Sequence, residues 1–263
     1  MPITAVGKSD SMVTKSNTDY VILDKGLGLR RLKGSSDNKT KMFFFPFVGG
    51  QSLSFKDIAK GLPEGIEVLA IDFPGHGWAR GECIKDFEEL INLLSNVLLE
   101  YLGDNFYFFG HSLGGILAYR ITQILEEKNI KPKKVIISAS PLPHRIEEYK
   151  YLEKKSMKEL VEIMSGFGSI NSAFLDNQTY LEYYFRTIKD DIAVFLKTKV
   201  DMDKPIESPS FIFYSEEDSF VRYTDIFEWG IYGQDVSFVK VKGDHIFVQT
   251  EYEEVTKKII DLL

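Results

Sequence analysis

The sequence predicts an α/β protein whose mostly parallel central sheet is flanked by helices, with a helical insertion that acts as a lid. Short apolar runs rich in β-forming residues alternate with helical segments along the 263 residues, as in sheets covered by helices. A Gly-x-Ser-x-Gly pentapeptide at 110–114 joins one apolar run to one helical segment. Residues 145–204 are helical, charged and aromatic, and no strand-like run interrupts them.

The individual strands are predicted from short runs of aromatic and branched residues bounded by turn residues. A first pair at 20–23 and 29–32 turns at Lys25 and Gly26. Six buried strands are predicted at 42–47, 66–71, 106–109, 134–138, 211–214 and 236–241. Helices are predicted at 54–61, 84–102, 113–127 and 252–263. The second of these repeats its apolar residues at the spacing of one helical face.

These elements divide the chain into three parts. Residues 1–18 are polar and predict a flexible N-terminal tail. Residues 19–144 and 205–263 form the α/β core, and 145–204 form the helical lid. The inserted stretch is several times longer than one crossover needs, which favours a lid over the alternative, a set of long crossover helices.

Composition excludes several classes of function. The formal net charge of −7 and the pI near 5.3 argue against nonspecific nucleic-acid binding, which needs a basic face. No apolar stretch approaches the roughly 20 residues that span a bilayer, so no membrane association is expected. Cys83 is the only cysteine, which excludes an internal disulfide, and no metal-ligand cluster or cofactor motif is present. We therefore expect a cytoplasmic monomer without a metal or cofactor.

The pentapeptide at 110–114 is typical of a nucleophile elbow, in which a serine lies on a strained turn between strand and helix. Ser112 is the predicted nucleophile, and its hydroxyl needs a base and a carboxylate that orients the base. In the α/β-hydrolase fold the acid and then the histidine follow the serine along the chain. Of the four histidines only His245, in the loop after the last predicted strand, fits that order.

The orienting acid should lie just past the strand before the last one. Asp218 is the predicted acid, with Glu217 as the alternative, because the residues before Asp218 give the loop room to turn. The oxyanion of the reaction needs two backbone N–H groups. We predict those of Leu113, directly after the serine, and Val48, in a loop that contains Gly-Gly. A plain turn is the alternative interpretation of that loop.

Taken in order, several motifs resemble those of the type II thioesterases, editing enzymes of nonribosomal peptide and polyketide synthesis within the α/β-hydrolase superfamily. They are Phe-Pro-x-x-Gly-Gly at 45–50, Pro-Gly-x-Gly at 74–77, Gly-His-Ser-Leu-Gly-Gly at 110–115 and Gly-x-His-x-Phe at 243–247. The resemblance spans the chain from about Leu29 to its end. It departs at His76, where the family often has arginine, and in the histidine motif, where the family usually reads Gly-Gly-His-Phe-Phe.

The resemblance implies that the serine, aspartate and histidine form a triad that hydrolyses acyl groups from the phosphopantetheine arm of an acyl carrier protein or peptidyl carrier domain. We expect Phe47, His111 and Phe247, which lie in these motifs, to contact the substrate. A carboxylesterase or lipase and an acyltransferase or cyclase are alternatives, since the same triad serves them. A non-catalytic ligand receptor on the same fold is the alternative from another class.

Overall fold

Residues 20–167 and 178–263, which this computed structural model describes, form an eight-stranded sheet covered by helices. The predicted tail at 1–18 and part of the predicted lid, 168–177, lie outside the described residues. In chain order the strands are β1 Val21–Asp24, β2 Leu29–Lys33, β3 Thr40–Phe45, β4 Ile66–Ala70, β5 Asn105–His111, β6 Lys134–Ser138, β7 Ser210–Tyr214 and β8 Val236–Lys240. Across the sheet their order is β1-β2-β4-β3-β5-β6-β7-β8.

Strand pairing is parallel from β4 through β3 to β8, whereas β1 and β2 add antiparallel at one edge. The carboxyl ends of the parallel strands therefore meet at one edge, where loops can assemble a site. All the predicted strands are present. The third ends at Phe45, before the predicted end at 47, because Pro46 has no N–H to donate to a strand ladder.

The helices begin and end at local signals in the sequence. They are α1 Lys56–Gly61, α2 Phe87–Leu99, α3 Leu113–Glu126, α4 Met157–Gly166, α5 Gln178–Leu196, α6 Phe247–Thr250 and α7 Tyr252–Ile260, with 3₁₀ segments at Ser52–Phe55, Pro143–Lys154 and Ile226–Tyr232. The helix predicted from 84 starts at Phe87, because the Asp86 carboxylate accepts hydrogen bonds from the N–H groups of Glu88 and Glu89.

Alternation along the strands divides the core into two layers. Phe43 and Phe45 of β3 face one group of buried side chains, and Met42 and Phe44 face the other. The first layer includes side chains of α2, α3 and α5, and the second includes side chains of α1, α6 and α7. The prediction of a mostly parallel sheet with helices on both faces is therefore confirmed.

Three helical segments lie between β6 and β7, in the stretch for which we predict a lid. They are the 3₁₀ segment Pro143–Lys154 and the helices α4 and α5, and the described residues of this stretch contain no strand. Buried Leu152, Leu160 and Ile192 belong to the first core layer. The insertion is therefore packed onto the body of the protein through apolar side chains.

Candidate active site

A strained turn between β5 and α3 carries Ser112. Its φ of 53° and ψ of −119° lie in a region that residues with side chains seldom adopt. A Cβ on Gly110 would lie 2.1 Å from the Gly114 carbonyl oxygen, and one on Gly114 would lie 2.1 Å from the Phe45 carbonyl oxygen. Both positions require glycine, and the geometry is that of a nucleophile elbow.

The structure brings Ser112, His245 and Asp218 together in one hydrogen-bonded chain. The Nε2 atom of His245 lies 3.1 Å from the serine Oγ. Its Nδ1 atom lies 3.0 Å from Oδ2 and 3.2 Å from Oδ1 of Asp218. Because a carboxylate only accepts hydrogen bonds, Nδ1 donates to it, and Nε2 is left to accept the serine proton. All three side chains are almost fully buried.

Backbone donors hold the Asp218 carboxylate toward the imidazole. Its Oδ1 accepts hydrogen bonds from the N–H groups of Phe220 and Val221, both at 2.8 Å. Glu217, the alternative acid, is exposed at the surface. The geometry therefore favours Asp218 over its neighbour as the orienting acid.

Asp244, which sequence reasoning missed, joins the acid loop to the histidine loop. Its Oδ1 accepts hydrogen bonds from the N–H of Ser219 at 2.8 Å and from the N–H of His245 at 2.6 Å. Burial raises the pKa of Asp244, but these hydrogen bonds outweigh it and hold the pKa below its ordinary value. The carboxylate therefore stays charged at neutral pH and holds together the two loops that carry Asp218 and His245.

The two predicted oxyanion donors come from the elbow itself and from the loop after β3. Leu113 is the first residue of α3, so its N–H is one that a helix leaves without an intrahelical acceptor. Val48 lies in a tight turn closed by a 2.7 Å hydrogen bond from the Gly50 N–H to the Phe47 carbonyl oxygen. Val48 and Ser112 line the same pocket. The arrangement is compatible with an oxyanion hole formed by these two N–H groups.

An apolar pocket opens above the serine. Ser112 and His245 are the polar groups that line it. The other lining residues are Phe47, Val48, Leu152, Met164, Phe167, Ile192, Phe195, Phe220 and Ile246. Five of these come from the insertion between β6 and β7, so the inserted helices form the wall opposite the elbow.

The predicted substrate contacts are only partly supported. Phe47 lines the pocket, but His111 and Phe247 are fully buried beneath it and do not. His111 Nε2 donates to the His245 carbonyl oxygen at 2.8 Å, and Nδ1 lies 2.9 Å from the Ser138 hydroxyl. Burial lowers the pKa of His111 to about 3, so the ring is neutral. Phe247 packs edge-on against that ring.

A second buried pair that sequence reasoning missed contacts the turn at 47–50, which carries Val48. His76 Nε2 is 3.2 Å from Oδ2 of Asp191 in α5, and the same oxygen accepts a 2.8 Å hydrogen bond from the Gly49 N–H. In the sequence, His76 stands out only as the position where the family often has arginine. The two residues are 115 positions apart, and no motif in the sequence connects them.

Within residues 20–167 and 178–263, no group of three or more His, Cys, Asp or Glu side chains is arranged to hold a metal ion. Over the same ranges, no helix has both the length and the apolar character needed to cross a bilayer.

Comparison with known proteins shows the family to which this chain belongs. The family model of the thioesterase domain matches residues 40–263. The chain belongs to the thioesterase domain family. It is therefore a hydrolase that acts on thioesters, as predicted from the sequence.

The relatives of this thioesterase include a synthetase and a second thioesterase. It is 25% identical over 233 residues to the AMB antimetabolite synthetase AmbE of Pseudomonas aeruginosa, a match that covers 88% of this chain but 11% of AmbE. It is 21% identical over 248 residues to Thioesterase PikA5 of Streptomyces venezuelae, covering 92% of this chain and 87% of PikA5.

Solved structures extend the comparison to the fold. The type II thioesterase BorB from the borrelidin biosynthetic cluster matches with a TM-score of 0.79 at 22% identity, covering 89% of this chain and 96% of BorB. The predicted α/β-hydrolase fold and the resemblance to type II thioesterases are thereby confirmed.

Proposed function

We propose that this thioesterase releases acyl groups from the phosphopantetheine arm of an acyl carrier protein or peptidyl carrier domain in nonribosomal peptide or polyketide synthesis. The observation that carries the proposal is the hydrogen-bonded chain of Ser112, His245 and Asp218 at the floor of an apolar pocket. The similar proteins add support, since BorB belongs to a biosynthetic cluster and YbtT is a type II thioesterase from the yersiniabactin NRPS/PKS pathway.

In the proposed acylation step, the Ser112 oxygen attacks the carbonyl carbon of the thioester while His245 Nε2 takes the serine proton. The negative charge that develops on the carbonyl oxygen is stabilised by the N–H groups of Val48 and Leu113. When the carbon–sulfur bond breaks, the imidazolium returns its proton to the departing thiolate. The free thiol leaves, and the acyl group stays on the serine as an ester.

In the proposed deacylation step, His245 takes a proton from water, and the resulting hydroxide equivalent attacks the acyl-serine carbonyl. The tetrahedral intermediate then collapses, the proton passes to the serine oxygen, and a carboxylic acid leaves. Asp218 stabilises the imidazolium in both steps without becoming protonated. A thioester suits this site because a thiolate leaves easily and needs little protonation.

The lining of the pocket supports an acyl chain as the group that enters it. Apart from Ser112 and His245, its walls are apolar side chains, so a charged group there would lose its hydration without gaining a partner. The inserted helices form one wall, and we propose that 145–204 act as a lid that excludes water while the acyl chain is bound.

Hydrolysis of an acyl carrier protein loaded with a short acyl chain tests the proposal. The Ser112→Ala variant should lose turnover by at least about a thousandfold, because the nucleophile is gone. Ser95→Ala, which removes a similarly buried hydroxyl from α2, is the matched control and should keep its rate. Full activity in the Ser112→Ala variant would sink the mechanism.

The alternatives are separated by substrate and product. A carboxylesterase or lipase would prefer an oxyester over the acyl-pantetheine thioester with the same chain, and the thioesterase should show the reverse preference. An acyltransferase or cyclase would yield a transferred or cyclic product instead of a free acid, which mass spectrometry detects. The expectation of a monomer stays a prediction, and light scattering of the eluted protein tests it.

A further inference from the structure

A buried carboxylate connects an inserted helix to the turn that carries the proposed oxyanion donor. Asp191 lies in α5 and is 2% exposed. Its Oδ2 atom accepts a 2.8 Å hydrogen bond from the Gly49 N–H and lies 3.2 Å from His76 Nε2. The same carboxylate oxygen thus accepts hydrogen bonds from the Gly49 N–H and from His76 Nε2.

The hydrogen bonds of His76 require both of its ring nitrogens to carry protons. Nδ1 lies 3.2 Å from the Pro74 carbonyl oxygen, and Nε2 faces the Asp191 carboxylate. Both partners only accept hydrogen bonds, whereas a neutral imidazole donates only one. Burial lowers the pKa of His76, but the charge and hydrogen bond of Asp191 and the Pro74 carbonyl outweigh it and raise the pKa to about 9. His76 is therefore an imidazolium at neutral pH.

Other charged groups surround this pair from each packed element. Asp72, which follows β4, also faces His76 and raises its pKa, and Arg30 of β2 lies 3.9 Å from Asp72. Asp190, the neighbour of Asp191 in α5, pairs with Lys85 at 3.1 Å. Asp190 thus has a cationic partner that Asp191 lacks, whereas burial and then the charges of both aspartates raise the pKa of the nearby Cys83 thiol.

Two hydrogen bonds set the shape of the turn at 47–50, which carries the proposed oxyanion donor Val48. The Gly50 N–H bonds to the Phe47 carbonyl oxygen, and because the peptide group is planar and trans, the Val48 N–H points the opposite way from that carbonyl. Gly49, at φ +70°, supplies the positive φ that such a turn needs. The Asp191 hydrogen bond fixes the following peptide group, between Val48 and Gly49.

The same face of α5 presses on Gly49. A Cβ on Gly49 would lie 3.0 Å from both the Tyr184 hydroxyl and the Ile188 side chain. Tyr184, Ile188 and Asp191 are spaced four and three residues apart and so share one face of the helix. A shift of α5 would therefore change the packing against Gly49 and with it the shape of the turn.

We infer that Asp191, held by the imidazolium of His76, is a positioning residue that aims the Val48 N–H at the oxyanion when α5 is packed on the turn. The inference rests on the proposed chemistry at Ser112 but not on the identity of the carrier. It assigns to α5 a part in forming the oxyanion hole as well as in covering the pocket.

The first test compares two neighbouring buried aspartates in turnover of p-nitrophenyl butyrate and of the butyryl thioester of N-acetylcysteamine. Asp191→Asn keeps the shape but removes the charge, and its kcat should fall about 10- to 100-fold with KM changed by less than about threefold. Asp190→Asn removes the matched charge from the same helix and should retain the wild-type kcat. Equal kcat values in the two variants would overturn the inference.

The second test uses the pH dependence of kcat, corrected for uncatalysed hydrolysis. Wild-type kcat should fall as pH rises through about 9, where His76 loses its proton. His76→Arg, which carries a permanent cation, should keep kcat level to about pH 10, and His76→Gln should be slow at every pH. An unchanged alkaline fall in a folded His76→Arg variant would contradict the inference. If that variant does not fold, the comparison of the two aspartate variants decides alone.

The same assays keep this inference separate from the proposed function. If Ser112→Ala turns over both small substrates at the wild-type rate, the chemistry itself is wrong. If Ser112→Ala is inactive and Asp191→Asn is as fast as Asp190→Asn, the chemistry stands and only the positioning role fails. If both small substrates are hydrolysed but the acylated carrier protein is not, the carrier assignment fails and the positioning role stands.

Discussion

Gly114, Gly65 and Gly166 differ in what an added side chain would meet. Substitution of each by alanine should therefore change stability and activity in a different way. A Cβ on Gly114 would lie 2.1 Å from the Phe45 carbonyl oxygen. Gly65 has a φ of +88° but nothing within 4 Å of its added Cβ. Gly166, at the end of α4, has neither a positive φ nor a neighbour within 4 Å. Gly114→Ala therefore tests steric contact, Gly65→Ala tests backbone strain, and Gly166→Ala is the control with neither.

The expected magnitudes follow from these distances. Cβ atoms essentially never approach other heavy atoms closer than 3.0 Å, so Gly114→Ala must push the Phe45 carbonyl away by the difference of about 0.9 Å. Such overpacking costs about 1–3 kcal/mol of unfolding free energy, and a shift of about 1 Å near the site costs about 100-fold in rate. Gly65→Ala should cost about 1–2 kcal/mol through its backbone conformation alone. Gly166→Ala should stabilise by about 0.5 kcal/mol.

Urea unfolding of the three variants measures the stability changes, and kcat for p-nitrophenyl butyrate measures the rate changes. Only Gly114→Ala should lose activity, because the Phe45 carbonyl leads directly into the turn that carries Val48. Gly65→Ala is the control, because it should lower the free energy of unfolding without moving any residue of the site. A Gly114→Ala variant with the same kcat as Gly65→Ala would show that packing at the elbow does not set the position of the turn that carries Val48.

Two further predictions concern the charged groups of the site. Asp218→Asn should lower kcat by about 10⁴-fold, because the imidazole loses the partner that sets its tautomer, whereas Glu217→Gln should leave kcat unchanged; comparable losses in both variants would argue against Asp218 as the acid. The raised pKa of His76 should stabilise the fold by on the order of 3 kcal/mol below about pH 6.5, and this contribution should vanish as pH rises through about 9. Urea unfolding of the wild type and of His76→Gln at several pH values measures it, and a stability difference that does not change with pH would contradict it.

The chain order of the elements was enough to predict much of the site. Parallel strands bring their carboxyl ends to one edge, so a serine after β5, an acid after β7 and a histidine after β8 must lie near one another. This is why Ser112, Asp218 and His245 could be chosen without knowing any distance. The helix limits were less predictable, because they depend on caps such as Asp86, whose hydrogen bonds override the apolar periodicity.

The pairing of Asp191 with His76 could not be predicted in the same way. Periodicity can show which residues of α5 share a face, but not which loop of the core that face meets. Helix packing decides this, and it depends on the side chains of both partners. The buried charge of Asp191 was therefore invisible in a stretch whose charged residues are mostly exposed.

The misassignment of His111 follows from the strand geometry and shows what holds the site together. Tyr107 and Phe109 of β5 face the second core layer, and two-residue alternation carries His111 to that face, away from the pocket. There its Nε2 donates a hydrogen bond to the His245 carbonyl oxygen. In a similar way, Asp191 accepts a hydrogen bond from the Gly49 N–H. In both cases a buried side chain binds the backbone of a loop that carries a reacting group. The quoted motifs include His111 as well as the residues of the triad, but Asp191 lies in none of them, so a variant can keep every motif and still lose the hydrogen bond to Gly49.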